Sequence, residues 1–345
     1  MKANLALLLI ALLLAAGGAE LALRMSGKFE PPEYPPTPSM PDLYESKPGY
    51  GYALQPNRTG TYEYPPAEPR TITVRSDAYG FRNTHDISEL DGRLRVLVLG
   101  DSYTFGEGVQ EGERFTDYLQ QMEPGWRVDN IGIPGYGPDL MLFALEAVIP
   151  VARPDVVVVV LFFDDFRRVR PRFSGLGYAN PRLQLEEGRL VEVEFPKPKL
   201  WERSHLYNAL QITLSGRINM RAPLTQEEWA LNEAIQDSLI ALIEAHGATP
   251  VYAYLSGPWT IPAQQRRRDW VEHIAAELGV AYVDLTDPIQ SADVPQVYLP
   301  DNGHYGPAGH GIVADSLHTF MLDRVSDIAE VSGDSAASEA STPQI

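Results

Sequence analysis

The chain contains no cysteine, and basic side chains are scarce: 28 lysines and arginines stand against 46 aspartates and glutamates, a formal net charge of −18. The first absence excludes disulfide frameworks, thiolate metal sites, a cysteine nucleophile and a lipidated N-terminal cysteine together. Any nucleophile must therefore be oxygen or nitrogen. The second excludes nucleic acid as a partner, because neutralising phosphates takes clustered lysine and arginine. Metal-ligand spacings such as His-x-x-x-His are missing from a chain with seven histidines, so no metal or organic cofactor is expected. Apolar residues, by contrast, make up 44% of the 345, enough for the buried core of one large α/β domain or two small ones.

Both ends of the chain depart from that composition. Lys2 precedes an uncharged run from Leu5 to Ala19, and the apolar character continues past Glu20 to Leu23 before Arg24. Residues 1–25 are thus a signal peptide or a signal anchor. Ala16-Gly17-Gly18-Ala19 offers small residues to a signal peptidase, but the length nearly spans a bilayer, and an uncleaved anchor is favoured. A buried soluble helix is the alternative, although such a helix normally keeps a polar face. With Lys2 before the run and the acidic bulk after it, the domain is expected outside the cytoplasm, in the periplasm or at the cell surface. Residues 26–70 are rich in proline and tyrosine and predict an extended stalk whose tyrosines dock locally on the domain. At the other end the small polar stretch Val331–Ile345 predicts a disordered tail.

Between these flanks, over residues 71–330, strand and helix signals alternate. Short apolar runs at Leu94–Leu99, Arg127–Ile131, Asp155–Phe163, Pro250–Leu255 and Ala281–Asp284 read as strands, the third covered on both faces because every position after Asp155 is apolar. Helical segments fall near Glu113–Gln121, Pro138–Val151, Gln264–Leu278 and after Pro307. Another starts at the capping box Thr225-x-x-Glu228 and stops at Gly247. This order predicts an α/β/α sandwich around a mostly parallel sheet. One segment, residues 166–222, interrupts the alternation with a hairpin about Glu186-Glu187-Gly188-Arg189 and a helix near Ser204–Thr213. It is either a lid beside the central strand's C-terminal end or a decorative excursion.

The reactive residues cluster at strand ends. Gly100-Asp101-Ser102 follows the first of these strands directly, so Ser102 sits where strand turns into helix, with its amide facing the crevice. A serine nucleophile needs a base, and a base needs an orienting carboxylate. Asp301 stands three residues before His304 on a Gly-rich loop leading to the last helix, which makes His304 the candidate base. His85 adjoins Asp86 but lacks a strand context; His246 and His273 belong to amphipathic helices; His318 packs on the last helix.

GDSYTFGEG resembles the first motif block of the SGNH, or GDSL-type, hydrolase superfamily, and PDNGHYGPAGH resembles its last. Between them NIGIPGYG, Asn130–Gly137, is similar to the second block, and SDAYGFR, Ser76–Arg82, looks like the lead-in of membrane-anchored bacterial members. The resemblance spans about Arg70 to Asp323. It implies a five-stranded flavodoxin-like sheet, a catalytic set of Ser102, His304 and Asp301, and an oxyanion hole formed by the amides of Ser102 and Gly135. The family's third-block asparagine falls on Asp164. An ionised carboxylate there accepts but cannot donate, and losing such a donor costs on the order of 10²–10³ in rate. Either Asp164 is protonated, or another group donates, or catalysis is slow; Asp165 reads as a loop-bracing carboxylate.

These parts imply a serine esterase acting on O-acetyl or other short acyl esters through an acyl-serine. An O-acyltransferase of an extracellular glycan is the alternative, and a catalytically weak carbohydrate-binding or assembly protein is the third. An ester or acylated-glycan substrate and the membrane are the expected partners, and the sequence names no particular protein partner.

Overall fold

The computed structural model of the chain describes residues 2–27, 36–64, 68–171, 173–194, 199–215, 223–258, 262–300 and 303–339. Helix α1 (Lys2–Ser26) comes first, and its stretch Asn4–Ser26, of mean hydropathy 2.3, is long and apolar enough to cross a membrane, with no residue of its apolar window fully buried in the protein. By length and composition it suits a signal sequence as well as an anchor.

The stalk expected over 26–70 is replaced by folded structure where residues are described. Strand β1 (Tyr44–Lys47) pairs antiparallel with β2 (Gly51–Leu54), and β3 (Thr59–Tyr64) with β4 (Arg70–Arg75). Pro41, Pro48 and Pro56 fall in turns, where a missing N–H costs nothing. Aromatic burial decides the outcome. Tyr52 is fully buried, stacked on Tyr178 and edge-on to Tyr136 with both centroids 5.4 Å away, and its hydroxyl donates to Pro134 O at 2.6 Å. Tyr178 in turn donates to Tyr44 O at 2.8 Å. Rings of this size bury more apolar surface than an extended stalk could, and each hydroxyl finds a carbonyl.

The α/β unit then runs β5 (Leu94–Leu99), α2 (Ser102–Phe105), α3 (Phe115–Met122), β6 (Trp126–Asn130), α4 (Pro138–Ala152) and β7 (Val156–Phe162). After a short 3₁₀ turn, Asp165–Arg167, come β8 (Arg182–Glu186), β9 (Arg189–Val193), a second 3₁₀ turn at Leu200–Arg203 and α5 (His205–Ser215). The alternation resumes with α6 (Gln226–Ala245), β10 (Thr249–Leu255), α7 (Pro262–Leu278), β11 (Ala281–Asp284), α8 (Thr286–Gln290) and α9 (Pro307–Glu339).

The five strands β11-β10-β7-β5-β6, in that order, form one parallel sheet. All seven residues of β7 are buried, as a doubly covered central strand requires. Because the order reverses at β5, right-handed crossovers put α3 and α9, which pack together, on one face and α4, α6 and α7 on the other. The reversal also opens a crevice at the C-terminal ends of β5 and β7. Helix α6 starts where the capping box placed it: Thr225 Oγ1 accepts from Glu228 N at 3.2 Å and Glu228 accepts from Thr225 N at 2.7 Å.

The hairpin β8–β9 packs on α6, and its Leu183 and Leu190 line a cleft shared with Leu142 and Phe143 of α4, so this part of the insertion adds to the helix layer. One expectation about the C-terminus changes: α9 continues through residues 331–339, where the sequence predicted a disordered tail.

Candidate active site

Ser102 opens α2 directly after β5, and the turn before it is tight. A side chain on Gly100 would collide with Thr104 and Val160. Asp101 caps the helix, its Oδ1 accepting from Tyr103 N at 2.9 Å, and Gly106 closes it with a left-handed φ of 76°. This leaves the Ser102 hydroxyl at the crevice, and His304 Nε2 lies 2.8 Å from its Oγ.

The imidazole is held on several sides. Tyr64, the last residue of β3, brings its hydroxyl to 3.0 Å from Nδ1. The Tyr103 ring lies 4.8 Å away, is stacked on Phe162 at 4.2 Å, and its hydroxyl donates to Gly303 O at 2.9 Å, pinning the loop that carries the histidine. Burial pushes the His304 imidazole down to about 4, so the ring is a neutral base over the ordinary pH range. Glu107, at the end of the first motif, places Oε2 3.7 Å from Nε2. Burial, and then the nearby Asp101 charge, push its carboxyl up to about 7, with Arg168 opposing.

The second motif lies against α2. Asn130 Nδ2 donates to Thr104 O at 2.6 Å and to Thr116 Oγ1 at 3.0 Å, while its Oδ1 accepts from Gly132 N at 2.9 Å. Gly135 has φ 84°, and a Cβ there would meet the Tyr52 hydroxyl at 2.9 Å, so both backbone and space demand glycine. Among the described residues neither Ser102 N–H nor Gly135 N–H has an acceptor. Two adjacent loops thus each present a free donor.

At the third motif Asp164 is ion-paired, its Oδ1 against Arg167 and 3.8 Å from Arg267 Nη1. Arg267 also donates to Phe163 O. Neutral burial on an apolar strand, one of the expected ways to make Asp164 a donor, is therefore not its setting: two guanidiniums face it. Asp165 does brace the loop, its Oδ2 accepting from Phe162 N at 2.8 Å, and burial together with Asp101 drives its carboxyl upward. Arg168 joins all three motifs. Its Nη1 lies 2.9 Å from Asp101 Oδ2 and 2.8 Å from Asp165 Oδ1, and donates to Tyr136 O at 2.7 Å. A bridging cation between two buried carboxylates relieves a repulsion that neither could bear alone.

The model of the GDSL-like lipase/acylhydrolase family matches residues 98–312, from the end of β5 into α9. The chain belongs to this family. It is accordingly a serine hydrolase acting on ester bonds. Among solved structures, a psychrotrophic esterase from Pseudoalteromonas sp. is 12% identical with a TM-score of 0.43, the match covering 68% of this chain and 99% of that one. An acetylxylan esterase from Geobacillus stearothermophilus, solved as a catalytic mutant, is 18% identical with a TM-score of 0.43 over 68% of this chain and 96% of that one. Likenesses this loose do not bear on substrate. No curated protein matches the chain.

Within this GDSL-family chain, Ser102 and His304 are brought into contact, and Gly135 sits on the loop packed against the nucleophile's helix. Asp301, expected to orient the base, lies outside the described residues. Residues that sequence patterns did not single out fill the surroundings: Tyr64, Glu107, Arg168 and Arg82. The last, in the lead-in phrase, is fully buried and donates to the carbonyls of Thr73, Phe105, Gly106 and Val109 at 2.8–3.2 Å, holding the loop that bears Glu107. The only signal for it was position inside a recognisable phrase. His310, from the last motif, is buried and accepts from Phe115 N at 3.2 Å, a structural task at the start of α3.

Proposed function

We propose that the protein is an extracytoplasmic, membrane-anchored esterase that removes O-acetyl or other short acyl groups through an acyl-serine. The observation that carries the reading is the 2.8 Å contact between Ser102 Oγ and His304 Nε2 beside two unpartnered backbone donors. His304, neutral and accepting at Nε2, takes the Ser102 proton as Oγ attacks the ester carbonyl. In that tautomer Nδ1 carries the proton that an orienting carboxylate accepts, with the Tyr64 hydroxyl 3.0 Å from the same nitrogen. Asp301, at the family's carboxylate position, is assigned the orienting role. The amides of Ser102 and Gly135 receive the developing oxyanion. The imidazolium then protonates the leaving alkoxide, and water repeats the sequence to release the acid. Asp164 remains assigned to the oxyanion region by motif position. As a paired carboxylate it donates nothing, so the hole works on two backbone amides.

The location rests on α1 and on charge asymmetry: Lys2 precedes the apolar stretch and the acidic domain follows it. An acceptor alcohol in place of water would turn the same acyl-serine into an acyl donor. The deciding experiment incubates the full-length protein, in detergent micelles, with p-nitrophenyl acetate, with and without a neutral oligosaccharide. Release of free acetate irrespective of the oligosaccharide is the expected result. Acetylated oligosaccharide as the main product replaces hydrolysis by transfer, and no nitrophenol release removes the enzymatic reading of Ser102.

A further inference from the structure

The insertion after β7 packs in two directions. Its hairpin joins the outer helix layer, whereas α5 lies against α1. The contact centres on Glu20, the one acid of α1. Its carboxylate accepts from Ser204 Oγ and Leu206 N at 2.7 Å each and from His205 N at 3.2 Å, and pairs with Arg24 Nε at 2.7 Å. Glu20 thereby caps the N-terminus of α5, where the helix dipole and orphan amides favour an anion.

The first turns of α5 carry apolar side chains beside His205 and Asn208. The helix begins HLYNAL, with Leu206, Tyr207 and Ala209 half-exposed and Leu210 48% exposed. Just before it, Trp201 is 54% exposed with Lys199 Nζ 5.2 Å from its ring centroid. A helix of this composition on a soluble domain turns such side chains into the core. Here its packing partner is instead a helix suited to a bilayer. Tryptophan beside lysine is the pairing found at headgroup level, the ring in the interface and the ammonium reaching water or lipid phosphate.

We propose that Lys199, Trp201 and the first turns of α5, through Leu210, form a second membrane contact. In this arrangement α5 is seated in the interfacial layer of the same bilayer that α1 enters, and Glu20 locks the two helices together. The occupant of the exposed face is lipid, argued from its continuity with α1 and from the Trp201–Lys199 pair. The inference rests on reading α1 as an anchor. Its consequence is that the catalytic domain is held in one orientation to the membrane instead of swinging on a tether.

The cysteine-free sequence makes the test clean. Single cysteines replacing Leu13 in α1, Leu210 in α5 and Leu185 in the hairpin are labelled with an environment-sensitive fluorophore. Each full-length variant is reconstituted into phosphatidylcholine–phosphatidylglycerol vesicles with doxyl-labelled lipid. Hydrolysis of p-nitrophenyl acetate checks folding. The expected result is quenching at positions 13 and 210 several-fold above that at 185, and loss of the quenching at 210, with that at 13 retained, when Glu20→Gln is added. Quenching at 13 with position 210 no different from 185 overturns the second contact while leaving the anchor intact. Quenching at neither overturns both. A blue-shifted, unquenched fluorophore at 210 means that protein, such as a second copy, covers α5, and the proposal fails. Quenching at 210 that survives Glu20→Gln overturns the clamp.

Discussion

Two regions meet at His304, and they reach it by different means. The strand ends bring Ser102, Gly135 and the histidine loop to one crevice because a parallel sheet with a reversal in strand order leaves no other place for them. The segment before the domain brings Tyr64 to the same imidazole without any such frame. It has two short hairpins, and what holds it is a set of buried tyrosines whose hydroxyls are satisfied by backbone carbonyls, Tyr52 on Pro134 and Tyr178 on Tyr44. The candidate site thus has a scaffold-borne half, whose reactive side chains sit on strand-end loops of the sheet, and a docked half, whose aromatic side chains both hold their segment in place and line the site.

The comparison breaks most visibly at the nucleophile. Ser102→Ala should lower turnover of p-nitrophenyl acetate by at least about 10³-fold, with thermal unfolding little changed, because the substitution removes one hydroxyl at a strand-end turn and leaves the apolar core in place. Turnover like the wild type's would remove Ser102 from the mechanism. The docked half should answer in the opposite currency. Tyr52→Ala removes a fully buried ring and is expected to cost about 3–5 kcal/mol of stability, measured by denaturant unfolding. A loss below about 1 kcal/mol, the scale of an exposed site, would return this segment to the status of a stalk.

A smaller effect sharpens the boundary between the halves, on the loop that Arg82 holds. Glu107 titrates near 7 at 3.7 Å from His304 Nε2. Above that pH its charge favours the imidazolium formed as Ser102 loses its proton, so kcat/KM should rise as pH climbs through about 7. Glu107→Gln should erase this step and leave the acid limb of His304 near 4. A step that persists in the variant belongs to another group. The smallest change is expected from Asp164→Asn, which supplies an amide donor at the family's third-block position and should raise kcat by up to about tenfold. A fall in kcat would mean that the ion pairs with Arg167 and Arg267 matter more than a third oxyanion donor.

Local pattern was sufficient for everything that repeats or punctuates. The five strands, the capping box at Thr225, the hairpin about Gly188 and the placement of Ser102 and His304 on strand-end loops follow from periodicity and turn chemistry, which are written in neighbouring residues. The family motifs added Gly135, and the structure supplies the reason in its positive φ and the crowding by Tyr52. Nothing local announces that Tyr64 touches a histidine 240 residues away, that Arg168 bridges Asp101 and Asp165, or that Glu20 caps a helix begun at His205. Those pairings depend on which buried polar groups happen to lack partners once the sheet is closed, and burial is a property of the assembled chain. The same reason explains the stalk that folded: proline and tyrosine describe a segment's local conformations, while the gain from burying aromatic rings exists only where the domain offers a surface to receive them.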